Sequence, residues 1–422
     1  MAACSCLSAA RTSRPAAPDR WASDPALITL WRFALTISLQ PERWNRRDAL
    51  RVGNGIIEAL FLTGGGHIAE LRLARPSALN CLWTPHWPGA DPGDPRLPAL
   101  TAAYGGDPAG AFLAGYTGHA LCLDLFGMPD KDEAARGVAL HGEASIRRWS
   151  YSPAPGGCVG RVDLPVAQLG FERAISLAEG APLLFVTETV TNHGNAARDI
   201  HWVQHLSLGP PLLAPGTSRI FASLDRAKTW PLGYDGRELL RNDAEFIWPN
   251  APSVTGEAVD LRIPFQRLRT GFIAAARVDP AHELGWIVAA NPGLGLALFC
   301  CFRREDFPWV AIWEENRARR GSPWNKTTQA RGMEFGTTPM PIGREAIRKL
   351  GPLFDTPVSR NLRARASLRA RYVLGIAEIP AGIGDIARLE VARDAISLIG
   401  ASPAVQVPVP GLRGFLLKGT QA

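Results

Sequence analysis

The sequence predicts a mainly β protein, built as one large antiparallel sandwich with few short helices. Its 422 residues include 42 Gly and 35 Pro. These residues stand between short apolar runs and do not collect in one tract, which is typical of many strands joined by turns. The runs themselves are rich in β-branched and aromatic residues, which favour strands. A helical spacing of apolar residues occurs near the C-terminus, in residues 383–398.

The predicted strands follow one another along most of the chain. Residues 55–62 and 67–73 flank Thr63-Gly64-Gly65-Gly66, which predicts a β-hairpin. Residues 182–191 and 199–208 enclose the turn-like Asn192-His193-Gly194-Asn195, which predicts a second hairpin. The other predicted strands are 158–167, 169–178, 271–278, 284–290, 294–303, 308–314 and 363–376.

The composition changes along the chain predict three parts. We expect residues 1–45 to be a disordered N-terminal extension. An arginine interrupts their apolar stretch, which is too short to span a bilayer, so the stretch favours an appended N-terminus over a targeting segment. Residues 46–380 form the β-sandwich domain, and residues 381–422 form a C-terminal helix and tail. Residues 84–110 are rich in Pro, Gly and Asp and predict a long surface loop.

Charge and cysteine content narrow the classes of partner. The net charge is +7, but arginines dominate the basic residues and are spread over the whole chain in short, interrupted runs. With no nucleic-acid module beside them, they do not predict nucleic-acid binding. No run approaches transmembrane length, so we expect no membrane association. The seven cysteines lack zinc-ligand spacing, which predicts reduced thiols in a cytoplasmic protein. We expect a monomer or homodimer.

Two histidines lie in the alternating run 199–208. On a helix, the i,i+4 spacing of His201 and His205 would predict a zinc site. On a strand, they share a face but stand roughly 13 Å apart, at about 3.3 Å per residue, which is too far for one metal ion. The strand prediction therefore favours a single histidine acting in acid–base chemistry, or a structural role for both.

Motifs of common catalytic classes are missing from the sequence. It contains no Gly-x-Ser-x-Gly, no His-Glu-x-x-His and no dinucleotide-binding glycine pattern. The remaining candidates are ionisable residues in apolar or glycine-flanked settings: His141, His205 and Glu334. A histidine and a carboxylate form a natural acid–base pair near neutral pH.

Three segments in this order resemble the aldose 1-epimerase (galactose mutarotase) superfamily. They are Leu140-His141-Gly142-Glu143, His205-Leu206-Ser207-Leu208 after a Val-Thr-Glu-Thr-Val-Thr-Asn strand, and Gly332-Met333-Glu334-Phe335-Gly336-Thr337-Thr338-Pro339. The resemblance covers roughly residues 50–380 and indicates a divergent member. It implies a large antiparallel supersandwich that binds a monosaccharide or sugar derivative in a groove, without a metal or organic cofactor.

The resemblance also implies roles for the three candidates. His205 would be the general acid that protonates the ring oxygen of the sugar, and Glu334 the general base that takes the proton from the C1 hydroxyl. His141 would hydrogen-bond the sugar. Ring opening, rotation and reclosure would then interconvert the anomers.

The chain departs from the family pattern around His205. Gln204 stands where the family has an asparagine, and Leu206-Ser207 replace an aromatic-asparagine pair. These departures leave a second hypothesis open, a catalytically inactive carbohydrate-binding protein on the same fold. Trp83, Trp309 and Trp324 could stack on a sugar or pack in the core, and Arg331 is a further possible ligand-binding residue.

Overall fold

The computed structural model describes residues 39–400 and 404–418. Most of the predicted extension, residues 1–38, lies outside the described residues. Its last part is ordered, because Gln40–Trp44 pairs as an antiparallel strand with the chain that follows it. For these residues, the expectation of disorder was wrong.

The described residues form a mainly β structure with antiparallel sheets and few short helices, as the sequence predicts. The strands are β1 (Gln40–Trp44), β2 (Arg47–Gly53), β3 (Ile57–Leu62), β4 (Ile68–Leu73), β5 (His119–Cys122), β6 (Ser150–Ala154), β7 (Gly157–Leu164), β8 (Leu169–Leu177), β9 (Leu183–Asn192), β10 (Arg198–Ile200), β11 (Val203–Leu208), β12 (Arg219–Ala222), β13 (Leu224–Thr229), β14 (Glu245–Ile247), β15 (Asn250–Pro252), β16 (Ala258–Asp260), β17 (Thr270–Val278), β18 (Leu284–Asn291), β19 (Leu296–Arg303), β20 (Trp309–Asn316), β21 (Gln329–Gly336), β22 (Arg360–Leu362), β23 (Ser367–Glu378), β24 (Arg388–Val391), β25 (Ala395–Ile399) and β26 (Val405–Pro408).

The helices are short and lie between strands or at the C-terminus. They are α1 (Leu97–Ala103), α2 (Ala109–Gly115), α3 (Lys131–Ala135), α4 (Arg344–Leu350) and α5 (Leu412–Leu417), with one 3-10 turn at Ala144–Ile146. None of the helices in the described ranges is long and apolar enough to cross a membrane. The predicted loop 84–110 contains all of α1 and the start of α2, so it is less irregular than its composition indicates.

Two large sheets pack face to face. One has 11 strands in the order β1-β2-β3-β4-β5-β11-β21-β20-β17-β13-β14, and the other has 8 in the order β12-β18-β19-β23-β9-β8-β7-β6. Alternating apolar residues of both sheets meet in one buried cluster. Phe302 of β19 stacks on Phe335 of β21 across this interface, with ring centroids 4.5 Å apart. The opposite face of the 11-stranded sheet is therefore free to carry a site.

One predicted hairpin is confirmed and the other is wrong. The strands β3 and β4 pair around the glycine triplet as predicted. In contrast, β9 belongs to the 8-stranded sheet and pairs with β8 and β23, whereas β11 belongs to the 11-stranded sheet. The chain between them crosses from one sheet to the other. It also breaks at His201-Trp202, so that the predicted strand 199–208 is split into β10 and β11.

The predicted C-terminal helix at residues 383–398 is wrong. These residues supply β24 and most of β25, which form a three-stranded sheet with β26, and the helix of this region, α5, follows at Leu412–Leu417. The apolar side chains of this small sheet cover the outer face of the 8-stranded sheet, as shown by the shared cluster of Leu389, Ile396 and Leu398 with Val288 and Phe299. Burial against that neighbouring sheet outweighs the helical spacing.

Candidate active site

His205 and Glu334 are cross-strand neighbours at the centre of the 11-stranded sheet. The strands β11 and β21 pair with Gln204 opposite Phe335 and Ser207 opposite Gly332, so His205 stands opposite Glu334. Both side chains lie on the face away from the sandwich core, because side chains alternate along a strand. The distance from His205 Nε2 to Glu334 Oε1 is 3.2 Å, so the two groups touch.

Gly332 makes room for this contact. It precedes Glu334 by two residues and therefore shares its face of the sheet. A Cβ atom on Gly332 would lie 2.2 Å from Glu334 Oε1, well inside van der Waals contact. Any larger residue would push the carboxyl group away from His205, so the glycine is part of the site.

Burial sets the protonation of the pair. The side chains of His205 and Glu334 are only 6% and 3% exposed. Burial penalises the charged form of each group. It lowers the pKa of His205 to about 3, and it raises the pKa of Glu334 well above its usual range. At neutral pH, both directions favour an uncharged pair, with a neutral imidazole beside a protonated carboxyl group.

The second nitrogen of His205 also has partners. Its Nδ1 atom lies 3.1 Å from the hydroxyl of Tyr116 and 3.0 Å from Ser207 Oγ. The two hydroxyl groups are themselves 2.6 Å apart. Tyr116 follows helix α2, and Ser207 lies two residues after His205 on the same face of β11. The imidazole is therefore held at both nitrogens by groups from three parts of the chain.

His141 lies beside this pair, in a turn before the 3-10 segment. Its backbone has a positive φ of 64°, and it is followed by Gly142 with φ of 87°. The backbone N–H of Gly127 donates to His141 Nδ1 over 3.3 Å, so the ring proton is on Nε2. Burial lowers the pKa of His141 well below its usual range. His141 is thus a neutral hydrogen-bond donor, with its ring centroid 5.4 Å from that of His205.

These groups line one cavity of about 320 Å³. This is within the range of small-molecule pockets. Its walls are largely aromatic and aliphatic, with a few polar groups among them. The lining residues are Ala109, Phe112, Leu113, Tyr116, Gly127, Met128, Leu140, His141, His205, Trp230, Ile273, Trp313, Arg319, Trp324, Glu334 and Pro341.

Arg319 adds a cation to the cavity wall. Its guanidinium group lies 4.7 Å from the ring centroids of both Tyr234 and Trp324, which fixes it by cation–π contact. The nearest carboxylate is Glu315, at 3.7 Å from Nε. Arg319 and the three tryptophans of the wall could therefore contact a ligand that reaches His205 and Glu334.

The three tryptophans that were candidates for stacking on a sugar lie in different places. Trp324 lines the cavity, whereas Trp83 packs beside Tyr116 and Trp87 in the aromatic cluster behind it. Trp309 is fully buried elsewhere and donates to the carbonyl of Pro357 over 2.7 Å.

Two residues near the catalytic candidates face the core. Arg331 forms a buried ion pair with Glu314, so the possibility that it binds ligand is not supported by its position. Gln204 also points away from the cavity, and its amide donates to Glu188 over 2.5 Å. Neither side chain lines the cavity.

Several site residues were not predicted from the sequence, namely Tyr116, Trp230, Trp313 and Arg319. Trp313 had a usable signal, because it lies on the predicted strand 308–314, where successive side chains face opposite sides of the sheet. Tyr116, Trp230 and Arg319 follow or precede strands and helices, and their approach to the cavity depends on the tertiary structure.

The described part of the chain contains no group of three His, Cys, Asp or Glu side chains that could hold a metal ion. His201 is not beside His205 in the cavity. Its Nδ1 accepts a hydrogen bond from the backbone N–H of Phe126 over 3.1 Å, and its side chain faces a separate cleft next to α4. The two histidines of the 199–208 run thus have different surroundings.

Comparison with solved structures identifies the class of fold. A candidate aldose 1-epimerase from Klebsiella pneumoniae superposes with a TM-score of 0.56 at 15% identity, over 81% of this chain and 82% of that one. A galactose mutarotase-like protein from Clostridium acetobutylicum gives 0.52 at 14% identity, over 81% and 99%. A candidate aldose 1-epimerase from Escherichia coli gives 0.53 at 13% identity, over 78% and 99%.

The chain therefore has the galactose mutarotase-like fold, as the sequence resemblance predicts. By sequence, it matches no protein-family model and no curated protein. At these identities, the structural likeness shows the fold alone, and the chemistry has to be argued from the site.

Proposed function

We propose that this protein is an aldose 1-epimerase-like isomerase that interconverts the anomers of a monosaccharide or sugar derivative. The observation that carries the proposal is the His205–Glu334 pair, buried at the wall of an aromatic-lined cavity on a galactose mutarotase-like fold. Opening a hemiacetal requires one group that accepts the proton of the C1 hydroxyl and one that protonates the ring oxygen. A histidine and a glutamate in contact can carry out these two proton transfers.

The electrostatics of the cavity support acid–base chemistry without lasting charge. Because burial favours the uncharged forms of both His205 and Glu334, a proton can pass through the pair without leaving an isolated buried charge. One oxygen of the protonated Glu334 takes the proton of the C1 hydroxyl while the other passes its proton to His205, and the histidine side of the pair returns a proton to the ring oxygen. His141, with its proton on Nε2, donates a hydrogen bond to a sugar oxygen.

The walls of the cavity suit the apolar face of a sugar ring. Trp230, Trp313 and Trp324 line it, and such rings stack against C–H groups while excluding water. Arg319 supplies donors for ring or substituent oxygens. The apolar character of the lining favours a sugar that carries few free hydroxyl groups, or a derivative in which some are substituted.

The test is polarimetry of freshly dissolved aldoses and substituted aldoses with the full-length protein. We expect at least one to reach anomeric equilibrium faster, and Glu334→Gln and His205→Asn to reduce kcat by about 10²–10⁴-fold. Acceleration that survives both substitutions would reject this site. If no compound in the panel is accelerated, the proposed activity is wrong.

A sugar-binding protein without catalysis is the second candidate. It is favoured by one observation, that both nitrogens of His205 already have protein partners. Titration calorimetry with the same panel distinguishes the two functions, since binding without accelerated anomerisation is expected from the second candidate alone.

A further inference from the structure

His205 has no nitrogen left for direct contact with a ligand. Its Nε2 atom touches Glu334 Oε1 at 3.2 Å, and its Nδ1 atom lies within hydrogen-bond distance of Tyr116 and Ser207. An imidazole held in this way can pass a proton from one nitrogen to the other, but its partners must exchange the proton with the substrate.

The two partners at opposite ends of the imidazole both line the cavity. Glu334 and Tyr116 belong to the same lining as His141, and His205 connects them. Tyr116 is buried, its ring packs edge-on against His205 with centroids 5.1 Å apart, and it stacks on Phe112 at 4.7 Å. The phenol is therefore held in a fixed position, and its hydroxyl group is directed at the imidazole.

We infer that Tyr116 is a further catalytic residue, which gives a proton to the ring oxygen while His205 relays a proton from Glu334 to replace it. The inference rests on the proposed anomerisation. It assigns His205 to the interior of a relay and places Glu334 and Tyr116 at its two substrate-facing ends. Ser207 is a positioning residue, which holds the phenol and the imidazole together.

The ring-opening step balances without any other reactant. The C1 hydroxyl gives its proton to Glu334 Oε2, and the electrons of that O–H bond form the C1 carbonyl. The bond from C1 to the ring oxygen breaks, and the ring oxygen takes the phenolic proton of Tyr116. Glu334 Oε1 passes its proton to His205 Nε2, and His205 Nδ1 returns a proton to Tyr116. The imidazole changes tautomer, and ring closure after rotation restores it.

This relay is consistent with the electrostatics of the site. Every group starts and ends the step uncharged, which matters because an isolated charge is costly in a water-poor cavity. Burial raises the pKa of Tyr116 well above its usual range, with a smaller contribution from Glu334. The phenol therefore keeps its proton until the ring oxygen accepts it.

The decisive variant is Tyr116→Phe, which removes one hydroxyl group and retains the ring. We expect kcat to fall by about 10²–10⁴-fold with KM changed much less. Tyr104→Phe is the matched control. Tyr104 belongs to the same aromatic cluster, but its hydroxyl donates to the carbonyl of Pro88 over 2.8 Å and does not line the cavity. We expect its kcat to remain within about threefold of the wild type, because it contributes no group to the reaction.

The dependence of kcat on the fraction of D₂O separates proton transfer by Tyr116 from a purely structural role. Several protons move together in the wild type, so the plot is expected to curve. In Tyr116→Phe, the concerted transfer is interrupted and the plot is expected to become linear. A Tyr116→Phe enzyme that keeps both the wild-type kcat and the curved plot would overturn the inference.

Nitrogen-15 NMR of the histidines tests the relay without relying on activity. At neutral pH, we expect His205 to be uncharged and to exchange between its two tautomers, and both Tyr116→Phe and Ser207→Ala to shift that equilibrium. A single tautomer that neither substitution changes would reject the relay. If the NMR result is as expected but no aldose is anomerised, the proposed function fails, and Tyr116 is then not a catalytic residue.

Discussion

Strand β11 carries a buried polar cluster on each of its two faces, and the clusters differ in charge compensation. On the core face, Gln204 joins Glu188 and Arg173, whose side chains are fully buried and form an ion pair of 2.7 Å. Glu188 also accepts hydrogen bonds from Trp202 Nε1 at 3.0 Å and Tyr372 at 3.0 Å. This cluster has a cation for its anion and partners for both carboxylate oxygens.

On the cavity face, the carboxyl group of Glu334 has no such compensation. Among the described residues, its ion-pair contact is with His205, whose neutral form is favoured by burial. One cluster thus holds a compensated ion pair, whereas burial favours an uncharged pair in the other. The same strand carries a charge-compensated cluster on its core face and, on its cavity face, the pair on which the proposed function rests.

The largest expected difference in stability is between the variants that change the carboxyl group of Glu188 or of Glu334 to an amide. Glu188→Gln leaves Arg173 buried without its anion, and the loss of one partner of a buried pair costs about 3–5 kcal/mol. We expect this loss in the free energy of unfolding from urea denaturation. Glu334→Gln is expected to unfold at the same urea concentration as the wild type or higher. Equal destabilisation by both substitutions would contradict the distinction between the two faces.

Gly332→Ala disturbs the cavity face alone. The added methyl group would meet the far end of the Glu334 side chain, which can move away without changing the backbone. We expect kcat to fall by about 10²-fold, because misplacement of a catalytic group by about 1 Å has this effect. Urea denaturation should show a small change in stability.

A double-mutant cycle controls for other effects of the alanine. If Gly332→Ala acts through the carboxyl group, it should add almost nothing to Glu334→Gln. Independent, additive losses of kcat would show that the methyl group acts by another route.

The pH dependence of stability gives a smaller and more gradual contrast. Burial raises the pKa of Glu334 well above its usual range, so the folded state retains a proton that the unfolded state loses. The contribution of Glu334 to wild-type stability should therefore decline as pH rises above the ordinary glutamate pKa of about 4.3, by up to about 1.4 kcal/mol per pH unit, until the folded carboxyl group ionises. Glu334→Gln lacks this dependence.

The measurement is the difference in Tm between Glu334→Gln and the wild type from pH 5 to pH 8. We expect the advantage of the glutamine variant to grow with pH. A constant difference would mean that the Glu334 carboxyl group titrates normally in the folded protein.

The positions of the strands were easier to predict from the sequence than the way in which the strands pair in sheets. Short runs rich in β-branched and aromatic residues, bounded by Gly and Pro, located most strands of both sheets, because such side chains favour strands. They did not report that β9 and β11 belong to different sheets, since a turn sequence cannot show whether the chain reverses beside its neighbour or crosses the sandwich. The helical spacing of apolar residues at 383–398 also misled the prediction, because these side chains are buried against a neighbouring sheet.

The site was accessible from the sequence only in part. The three segments that resemble the aldose 1-epimerase superfamily contain His141, His205 and Glu334, and all three residues line one cavity. Their direct contacts depend on the pairing register of β11 and β21, which no local pattern specifies. Tyr116 and Arg319 were missed because they lie on segments between helices and strands, and their approach to the cavity depends on the tertiary structure.

The most direct measurement of the central claim is two-dimensional exchange NMR of aldoses at anomeric equilibrium with the full-length protein. We predict exchange cross-peaks between the α and β anomeric protons that grow with protein concentration. They should disappear with Glu334→Gln and persist with Glu188→Gln at equal concentrations of folded protein. Exchange no faster than in protein-free samples, for every aldose and substituted aldose tried, would contradict the account.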